Sequence, residues 1–269
     1  MNILRGYADK FEQESIDEAS LDITDRVELN FNRAKELAIV IKREILEKEK
    51  LTCSIGVAPN KLVAKIASGF SKPDGLTVVL PEEVSSFLSP LPIGKLYGVG
   101  DKTEKKMFEN NIKTIGDLAQ QSVEVLMKIF GAKLGVYFSN ASKGIDVSPA
   151  EERKTAQISR ITTLRENTRN IEEIINDLNG LCGGVHQSAV DKTFTFRSIG
   201  IIIVTENMRG YSRRKTLNTY TNNLETMKEV CIELLKKFLE TSQLRIRRIG
   251  VNITDLKTAS TQKSLMDYR

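Results

Sequence analysis

Hydrophobic and polar positions follow two periods in the first part of the chain. Leu37, Ile41 and Ile45 lie four residues apart among charges, as on one face of a helix, whereas residues 11–25 alternate with a period near two. The pattern predicts these elements: two short strands around a turn at 11–25, a helix at 28–49, a strand at 51–59, a helix at 60–70 with Asn60 as its N-cap, and a strand at 76–80. We therefore expect a mixed α/β sheet carrying helices.

The pattern changes twice after residue 80. Residues 81–147 predict only short helices, and the polar stretch SPAEERKTAQ at 148–157 predicts a linker. The elements predicted beyond it are a strand at 158–166, a helix at 170–189, strands at 194–206 and 211–219, a helix at 223–241 and a strand at 244–255. This β-α-β-β-α-β order indicates a four-stranded antiparallel sheet with two helices on one face. The predicted fold class is therefore α+β with several domains.

Composition excludes some classes of protein. No run approaches the roughly 20 apolar residues that cross a bilayer, so we expect no membrane association. Cys53, Cys182 and Cys231 lie far apart, and the chain has 1 histidine, His186, so a zinc site is not expected. Three isolated thiols are typical of a cytoplasmic protein, and we interpret His186 as a helix residue rather than a general base.

Charge is distributed unevenly. Residues 1–150 hold 20 Lys/Arg and 21 Asp/Glu, whereas residues 151–269 hold 20 and 14, so the basic excess lies in the second part. Such an excess is typical of a surface that binds a polyanion. Nucleic acid is favoured over a membrane surface, because no basic amphipathic helix with aromatic anchors is evident.

Adjacent carboxylates occur in the segment Ser15-Ile16-Asp17-Glu18-Ala19-Ser20-Leu21-Asp22. At a turn between two strands, Asp17 and Glu18 can converge, and converging carboxylates suit a hard divalent cation such as Mg²⁺. A solvated acidic turn is the alternative from the residues alone.

The segment SIDEASLD resembles the signature of Y-family, DinB-type translesion DNA polymerases. The resemblance implies that Asp17 ligates metal and that Glu18 completes a catalytic site with two Mg²⁺ ions. Ser20 stands where the family usually has an aromatic residue.

A second match to this family is the stretch from Ser54 to Ser68 with Lys72-Pro73-Asp74-Gly75. It lacks the P-loop pattern but is similar to the family's Asn-Lys and Lys-Pro motifs. The resemblance implies that Lys72 contacts the triphosphate of the incoming deoxynucleotide. Lys61 and Lys65 either bind DNA or form a solvated helix face.

The segment LYGVGDKT at 96–103 has a Gly-x-Gly turn between two predicted helices. Gly98, Gly100 and Lys102 could bind a DNA phosphate at a helix N-terminus, as in the helix-hairpin-helix of the Y-family thumb. An ordinary helix connection is the alternative. The stretch IFGAKLG at 129–135 could be a degenerate second copy.

Basic residues cluster in the predicted C-terminal sheet. The candidate DNA contacts there are Arg160, Arg213, Arg214, Lys215, Arg245, Arg247 and Arg248. Few aromatic residues lie among them, which favours backbone contact over base stacking; a solvated sheet face is the alternative. Alternation places Ile246 and Arg248 on one face and Arg245 and Arg247 on the other, so all can face DNA only with a bulge.

The tail resembles a sliding-clamp-binding motif, with Gln262, Leu265 and Tyr268 as its contact residues. The resemblance covers essentially the whole chain and implies these domains: the C-terminal part of a palm at 1–86, an all-helical thumb at 87–147, the linker at 148–157, a little finger at 158–257 and the clamp-binding tail at 258–269.

The function that the resemblance implies is transfer of deoxynucleotides to a primer on damaged DNA, by a cytoplasmic monomer that also binds a sliding clamp. The family's first palm motif and its fingers have no counterpart before Asp17. We therefore expect either a polymerase whose start lies upstream or a catalytically inactive DNA-binding and clamp-binding fragment. A two-metal nuclease is a third alternative, but it would not explain the order of thumb and little finger.

Overall fold

The computed structural model describes residues 1–152 and 155–258, and the chain divides into two compact units, residues 1–153 and 154–269. The elements of the first unit are α1 (Asn2–Gly6), β1 (Lys10–Gln13), β2 (Ala19–Asp22), α2 (Phe31–Glu49), β3 (Ile55–Val57), α3 (Lys61–Phe70), β4 (Leu76–Val78), α4 (Val84–Leu88), α5 (Asp101–Glu109), α6 (Ile115–Ala119), α7 (Val123–Phe130) and α8 (Ala132–Ala141). Single 3₁₀ turns lie at Pro81–Glu83 and Ile93–Lys95.

The strands of the first unit form two separate ladders rather than one mixed sheet. β1 pairs antiparallel with β2, and β3 pairs parallel with β4. The strand predicted at 51–59 shortens to Ile55–Val57, because β4 offers it only three partners.

One continuous core joins α3 to the short helices. Val63 and Ala67 of α3 are fully buried together with Leu88, Leu126 and Phe138. The helices between residues 84 and 141 confirm the predicted all-helical region, but its core includes α3. The hydrophobic core thus includes residues on both sides of the predicted boundary between residues 86 and 87.

The second unit has the predicted β-α-β-β-α-β order. Its elements are β5 (Gln157–Thr168), α9 (Ile171–Asp191), β6 (Phe194–Thr205), β7 (Gly210–Thr221), α10 (Leu224–Thr241) and β8 (Ile246–Thr258). The sheet order is β5-β8-β6-β7, all antiparallel, and α9 and α10 share a core with the apolar face of the sheet. The α+β multidomain prediction is confirmed.

Asparagine side chains begin the three longest helices, α2, α9 and α10, and also α3. Asn30, Asn60, Asn170 and Asn223 each accept a backbone N–H of the first helical turn. An N-cap of this kind satisfies a donor that has no partner within the helix. The N-cap predicted at Asn60 is confirmed, and its amide also donates to the Gly144 carbonyl at 2.8 Å. No helix in the described part of the chain is long and apolar enough to cross a membrane.

The close contact between α7 and α8 depends on Gly135. A Cβ atom built on Gly135 would lie 2.5 Å from the backbone nitrogen of Met127, and backbone atoms cannot move aside as a flexible side chain can. We expect Gly135→Ala to destabilise the protein by about 1–3 kcal/mol, measured by chemical unfolding. Gly69→Ala is the matched control, because its Cβ would meet nothing within 4 Å. Equal stability of the two variants would show that α7 and α8 separate without cost.

Candidate active site and nucleic-acid interface

The turn between β1 and β2 holds Asp17 in an exposed position. The Ser15 hydroxyl accepts the backbone N–H groups of Asp17 (3.3 Å) and Glu18 (3.1 Å) and donates to Asp17 Oδ1 at 2.6 Å. These bonds lower the pKa of Asp17, and the positive charges of Lys72 and Lys65 lower it further. Asp17 is therefore an ionised carboxylate of fixed direction that is open to solvent.

Glu18 pairs with a lysine of α3. Lys65 Nζ lies 2.6 Å from Glu18 Oε2 and 3.0 Å from Glu14 Oε2, so one ammonium group bridges two carboxylates. Burial acts to lower the pKa of Lys65, but the hydrogen bonds to Glu18 and Glu14 outweigh it and raise the pKa. For Glu14, burial acts to raise the pKa, and the hydrogen bonds from Ser20 and Lys65 bring it below its ordinary value.

Lys61 makes the equivalent contact one helical turn earlier. Its Nζ lies 2.6 Å from Glu12 Oε2 and 3.0 Å from the Pro149 carbonyl oxygen. The sequence predicts that Lys61 and Lys65 either bind DNA or form a solvated helix face. In the structure both lysines instead pair with carboxylates. Both side chains face the β1–β2 hairpin and are only about a quarter exposed, because the carboxylates of the hairpin lie opposite them.

Lys72 lies beyond the end of α3 in the exposed Lys-Pro-Asp-Gly turn. Lys42 of α2 fixes this turn by donating to the Asp74 carbonyl at 2.9 Å and to the Gly75 carbonyl at 3.5 Å. The ammonium of Lys72 is close enough to Asp17 to lower its pKa. The fold thus brings Lys72 close to Asp17, although these two residues lie far apart in the sequence.

The β1–β2 turn supplies only part of the oxygen ligands that Mg²⁺ requires. No group of three or more His, Cys, Asp or Glu side chains in residues 1–152 and 155–258 could hold a metal ion unaided. Mg²⁺, however, is commonly bound by one or two carboxylates together with waters and substrate phosphates. Asp17 and Glu18, with Lys72 beside them for a phosphate, fit that type of site.

The Gly98–Lys102 turn leads into the N-terminus of α5. Gly98 has φ +86° and packs against the ring of Tyr137, whose hydroxyl donates to the Tyr97 carbonyl at 2.7 Å. Gly100 is the N-cap residue, and no side chain caps this end of the helix. A Cβ atom on Gly100 would meet nothing within 4 Å, so the backbone there is accessible. This geometry suits a phosphate, although Asp101 and Glu104 add negative charge to the first turn.

The predicted second copy also forms two helices joined by a glycine. Gly131, with φ +85°, ends α7 and precedes α8, and its Cβ direction is open. No acidic residue lies in the first turn of α8.

The two faces of the C-terminal sheet separate its basic residues. Lys215 pairs with Glu233 of α10 at 2.6 Å, and Arg160 Nη2 donates to Ser188 of α9 at 3.3 Å, so both side chains lie on the helix-covered face. Alternation along β7 places Arg213 on that same side at the sheet edge and Arg214 on the open face. These residues were predicted as one cluster, because the sequence alone does not show which face of the sheet the helices cover.

A bulge in β8 changes the predicted alternation of its arginines. Ile246 pairs with Thr205 and Arg248 with Val204, so Arg247 is an extra residue without a partner position on β6. Ile246 and Ile249 consequently both reach the core, while Arg248 lies on the open face. The prediction that Ile246 and Arg248 share a face is wrong, and the bulge named as the alternative is the reason. Arg245 lies just before the strand, exposed to solvent.

Two further predictions concern His186 and the tail. His186 lies in α9 as predicted, and its Nε2 is 2.6 Å from the Asn222 carbonyl oxygen. The predicted clamp-binding residues Gln262, Leu265 and Tyr268 lie outside the described residues.

Sequence reasoning missed the residues that support the site. Ser15, Glu14, Ser20 and Lys42 each fix a predicted site residue or its turn. A hairpin register would have placed Glu14 beside Glu18, but nothing local indicates that Lys42 reaches a turn 32 residues later.

Known protein families match three parts of the chain. Residues 1–69 match the impB/mucB/samB family, and residues 155–265 match the C-terminal domain of that family. Residues 94–146 match the thumb domain of DNA polymerase iota.

Curated relatives and solved structures agree with these matches. DNA polymerase IV of Methanosarcina acetivorans is 45% identical over 275 residues, which cover 100% of this chain and 75% of the relative. DNA polymerase IV of Nitrosopumilus maritimus is 40% identical, covering 100% and 74%. A Y-family chimera of Dbh and Dpo4 superposes with a TM-score of 0.90 at 34% identity, covering 96% of this chain and 74% of that one. An insertion ternary complex of Dbh DNA polymerase has a TM-score of 0.68 at 34% identity, with the same coverage.

The chain belongs to the impB/mucB/samB family, the Y family of DNA polymerases. Its activity is DNA-directed DNA synthesis, and translesion synthesis is the role typical of this family.

The contact of Lys215 with α10 can be measured directly. Lys215 and Lys237 both donate to Glu233 and lower the pKa of that carboxyl from 4.5 to about 2. The stabilisation from this lowered pKa is present above pH 4.5 and is lost as the pH falls towards 2. We expect Lys215→Gln to raise the pKa of Glu233, measured by carboxyl-carbon NMR titration.

Lys228→Gln is the control for this titration, because Lys228 pairs with Glu225 elsewhere on α10. An unchanged pKa of Glu233 in Lys215→Gln would place Lys215 away from α10.

Proposed function

We propose that Asp17 and Glu18 hold the Mg²⁺ ions of the polymerase reaction and that Lys72 binds the triphosphate of the incoming deoxynucleotide. The observation that carries this proposal is that the Lys-Pro-Asp-Gly turn brings Lys72 close to Asp17, which is next to Glu18 in the β1–β2 turn. The carboxylates alone would suit any solvated turn. Their position beside an exposed lysine, in a DNA polymerase of the Y family, gives them a substrate.

The two carboxylates have different parts in the proposed site. Asp17 presents an ionised oxygen to solvent in a direction that the Ser15 hydroxyl fixes. Glu18 offers an oxygen that Lys65 holds at 2.6 Å, so this carboxylate exchanges its ammonium partner for the metal. Bound Mg²⁺ would activate the primer 3′-hydroxyl and stabilise the charge that develops on the pyrophosphate leaving group.

Lys72 contributes charge where the triphosphate would lie. Ammonium groups bind phosphate through strong charge-assisted hydrogen bonds. Because the Lys42 contacts fix the Lys-Pro-Asp-Gly turn, Lys72 has a fixed origin and loses less freedom on binding.

Primed DNA is the proposed macromolecular substrate, held at two places. The open face of the C-terminal sheet offers Arg214 and Arg248, and the turn at Gly98, Gly100 and Lys102 offers accessible backbone N–H groups. Both recognise phosphates rather than base edges, which suits a polymerase that must tolerate damaged bases. Arg160, Lys61 and Lys65 are not among the proposed DNA contacts, because each already contacts a neighbouring side chain.

Two further proposals rest on the sequence. The tail residues Gln262, Leu265 and Tyr268 would bind a sliding clamp and hold a monomeric enzyme on DNA. The domain boundaries at residues 86, 147 and 157 are likewise proposed divisions between the palm, thumb, linker and little finger.

Glu18→Gln tests the proposed catalytic site. Losing this carboxylate charge removes a metal ligand, and we expect the single-turnover rate of primer extension with Mg²⁺ and four deoxynucleotides to fall about a hundredfold or more. The control is Glu82→Gln, an exposed residue of the 3₁₀ turn at Pro81–Glu83.

Two results would contradict this proposal. Unchanged extension by Glu18→Gln would remove Glu18 from the site. Absence of extension by the unsubstituted chain, with salt-sensitive DNA binding intact, would support the DNA-binding fragment instead.

The proposed DNA-binding face predicts a difference in salt dependence. Each phosphate contact contributes about one to the slope of log Kd against log salt. Arg214→Gln and Arg248→Gln should each lower this slope by about one, measured by fluorescence anisotropy of a labelled primer–template. Lys215→Gln should leave it unchanged, because Lys215 pairs with Glu233 on the other face. An equal decrease of the slope in all three variants would show that the face on which a residue lies does not determine whether it contacts DNA.

A further inference from the structure

Two polar side chains outside the proposed ligand set meet across the β1–β2 hairpin. The Ser20 hydroxyl donates to Glu14 Oε1, and the other oxygen of Glu14 accepts from Lys65 Nζ at 3.0 Å. The same Nζ donates to Glu18 at 2.6 Å. Ser20, Glu14, Lys65 and Glu18 therefore form one continuous chain of contacts that ends on a proposed metal ligand.

The two carboxylates that share Lys65 differ in exposure. The side chain of Glu14 is 13% exposed and that of Glu18 is 42% exposed. Glu14 is also fixed by a second hydrogen bond, from Ser20. The ammonium group is therefore anchored on the Glu14 side, and Glu18 is the partner that can turn away.

An ammonium group with only Glu18 as its partner would compete with a divalent cation for the same oxygens. Turning Glu18 towards a metal would then leave Lys65, which is about a quarter exposed, without a counter-charge. Breaking a partly buried pair in this way is costly, because the remaining charge has lost its water and its partner. Glu14 removes that cost by keeping Lys65 neutralised.

We propose that Glu14, held in place by Ser20, is a positioning residue that retains Lys65 and so frees the Glu18 carboxylate to bind metal. This inference rests on the proposed role of Glu18 as a ligand. Glu14 and Ser20 touch neither the metal nor the nucleotide in this scheme. They act through Lys65.

Ser20 also accounts for the departure from the family signature. A serine hydroxyl is attached to Cβ, and it reaches Glu14 diagonally across the hairpin, since the register partner of Ser20 is Glu12. An aromatic ring at this position has no polar atom so close to the backbone. Ser20, which departs from the signature, and Glu14 thus belong to one arrangement.

Metal affinity tests the proposal without relying on turnover. The probe is Mn²⁺, and free Mn²⁺ is measured by electron paramagnetic resonance in titrations of the full chain with dideoxy-terminated primed DNA and a deoxynucleoside triphosphate. We expect Glu14→Gln to raise the Mn²⁺ dissociation constant about tenfold, as for other residues that orient a ligand. Ser20→Ala should raise it roughly threefold, the effect of one lost hydrogen bond.

Three further variants make the result specific. Glu14→Asp keeps the charge and should restore most of the affinity, whereas Glu82→Gln removes an exposed charge and should change nothing. Glu18→Gln reports on the ligand itself. With an extendable primer in place of the dideoxy-terminated one, primer extension by Glu14→Gln at saturating metal should approach the unsubstituted rate, because the loss is in metal binding.

The outcomes separate this inference from the proposal beneath it. Unchanged affinity in Glu14→Gln with weakened affinity in Glu18→Gln overturns the positioning role alone, whereas unchanged affinity in both overturns the metal site. If Glu14→Gln lowers the melting temperature, Ser20→Ala decides, since it keeps every charge. Unchanged Mn²⁺ affinity in Ser20→Ala would then contradict the proposal.

Discussion

The ion pairs between α3 and the β1–β2 hairpin are the interaction on which the proposed site depends. Lys61 and Lys65 lie one turn apart on the same face of the helix, and the carboxylates of the hairpin lie opposite them. Glu12 is 4% exposed, which is rare for a carboxylate unless a charge partner is close. These pairs fix the hairpin that carries Asp17 against the helix, and the Ser15 hydroxyl then fixes the direction of the Asp17 carboxylate.

In the second unit, the basic residues of the sheet are divided between its two faces. One face of its sheet forms the core with α9 and α10, and pairs such as Lys215–Glu233 lie at the edge of that face. The opposite face carries Arg214 and Arg248, and neither helix in the described part of this unit packs against it. A surface that binds phosphates needs charge that is not already neutralised, and the sheet provides it by directing alternate side chains to opposite faces.

The elements of the fold were predictable because their causes are local. Each long helix begins at an asparagine that accepts from its own first turn, and the β-α-β-β-α-β order follows from periodicity alone. The length of β3 was not predictable, since it is limited by the three residues of β4. A bulge in β8 was predicted from the sequence only as the condition under which all of its arginines could face DNA. The bulge at Arg247 is required because Ile246 and Ile249, three residues apart, both enter the core.

The residues of the proposed site were likewise predictable only in part. Asp17, Glu18 and Lys72 belong to motifs that can be identified in the sequence. The residues that support them come close to them only in the tertiary structure. Lys42 reaches the Asp74 turn from another helix, and no local pattern indicates such a contact. Side chains that carry chemistry can therefore be predicted from a short segment, while those that orient them follow from how segments pack. Ser20 is the informative exception, because its departure from an otherwise matching signature marked a residue that hydrogen-bonds to Glu14.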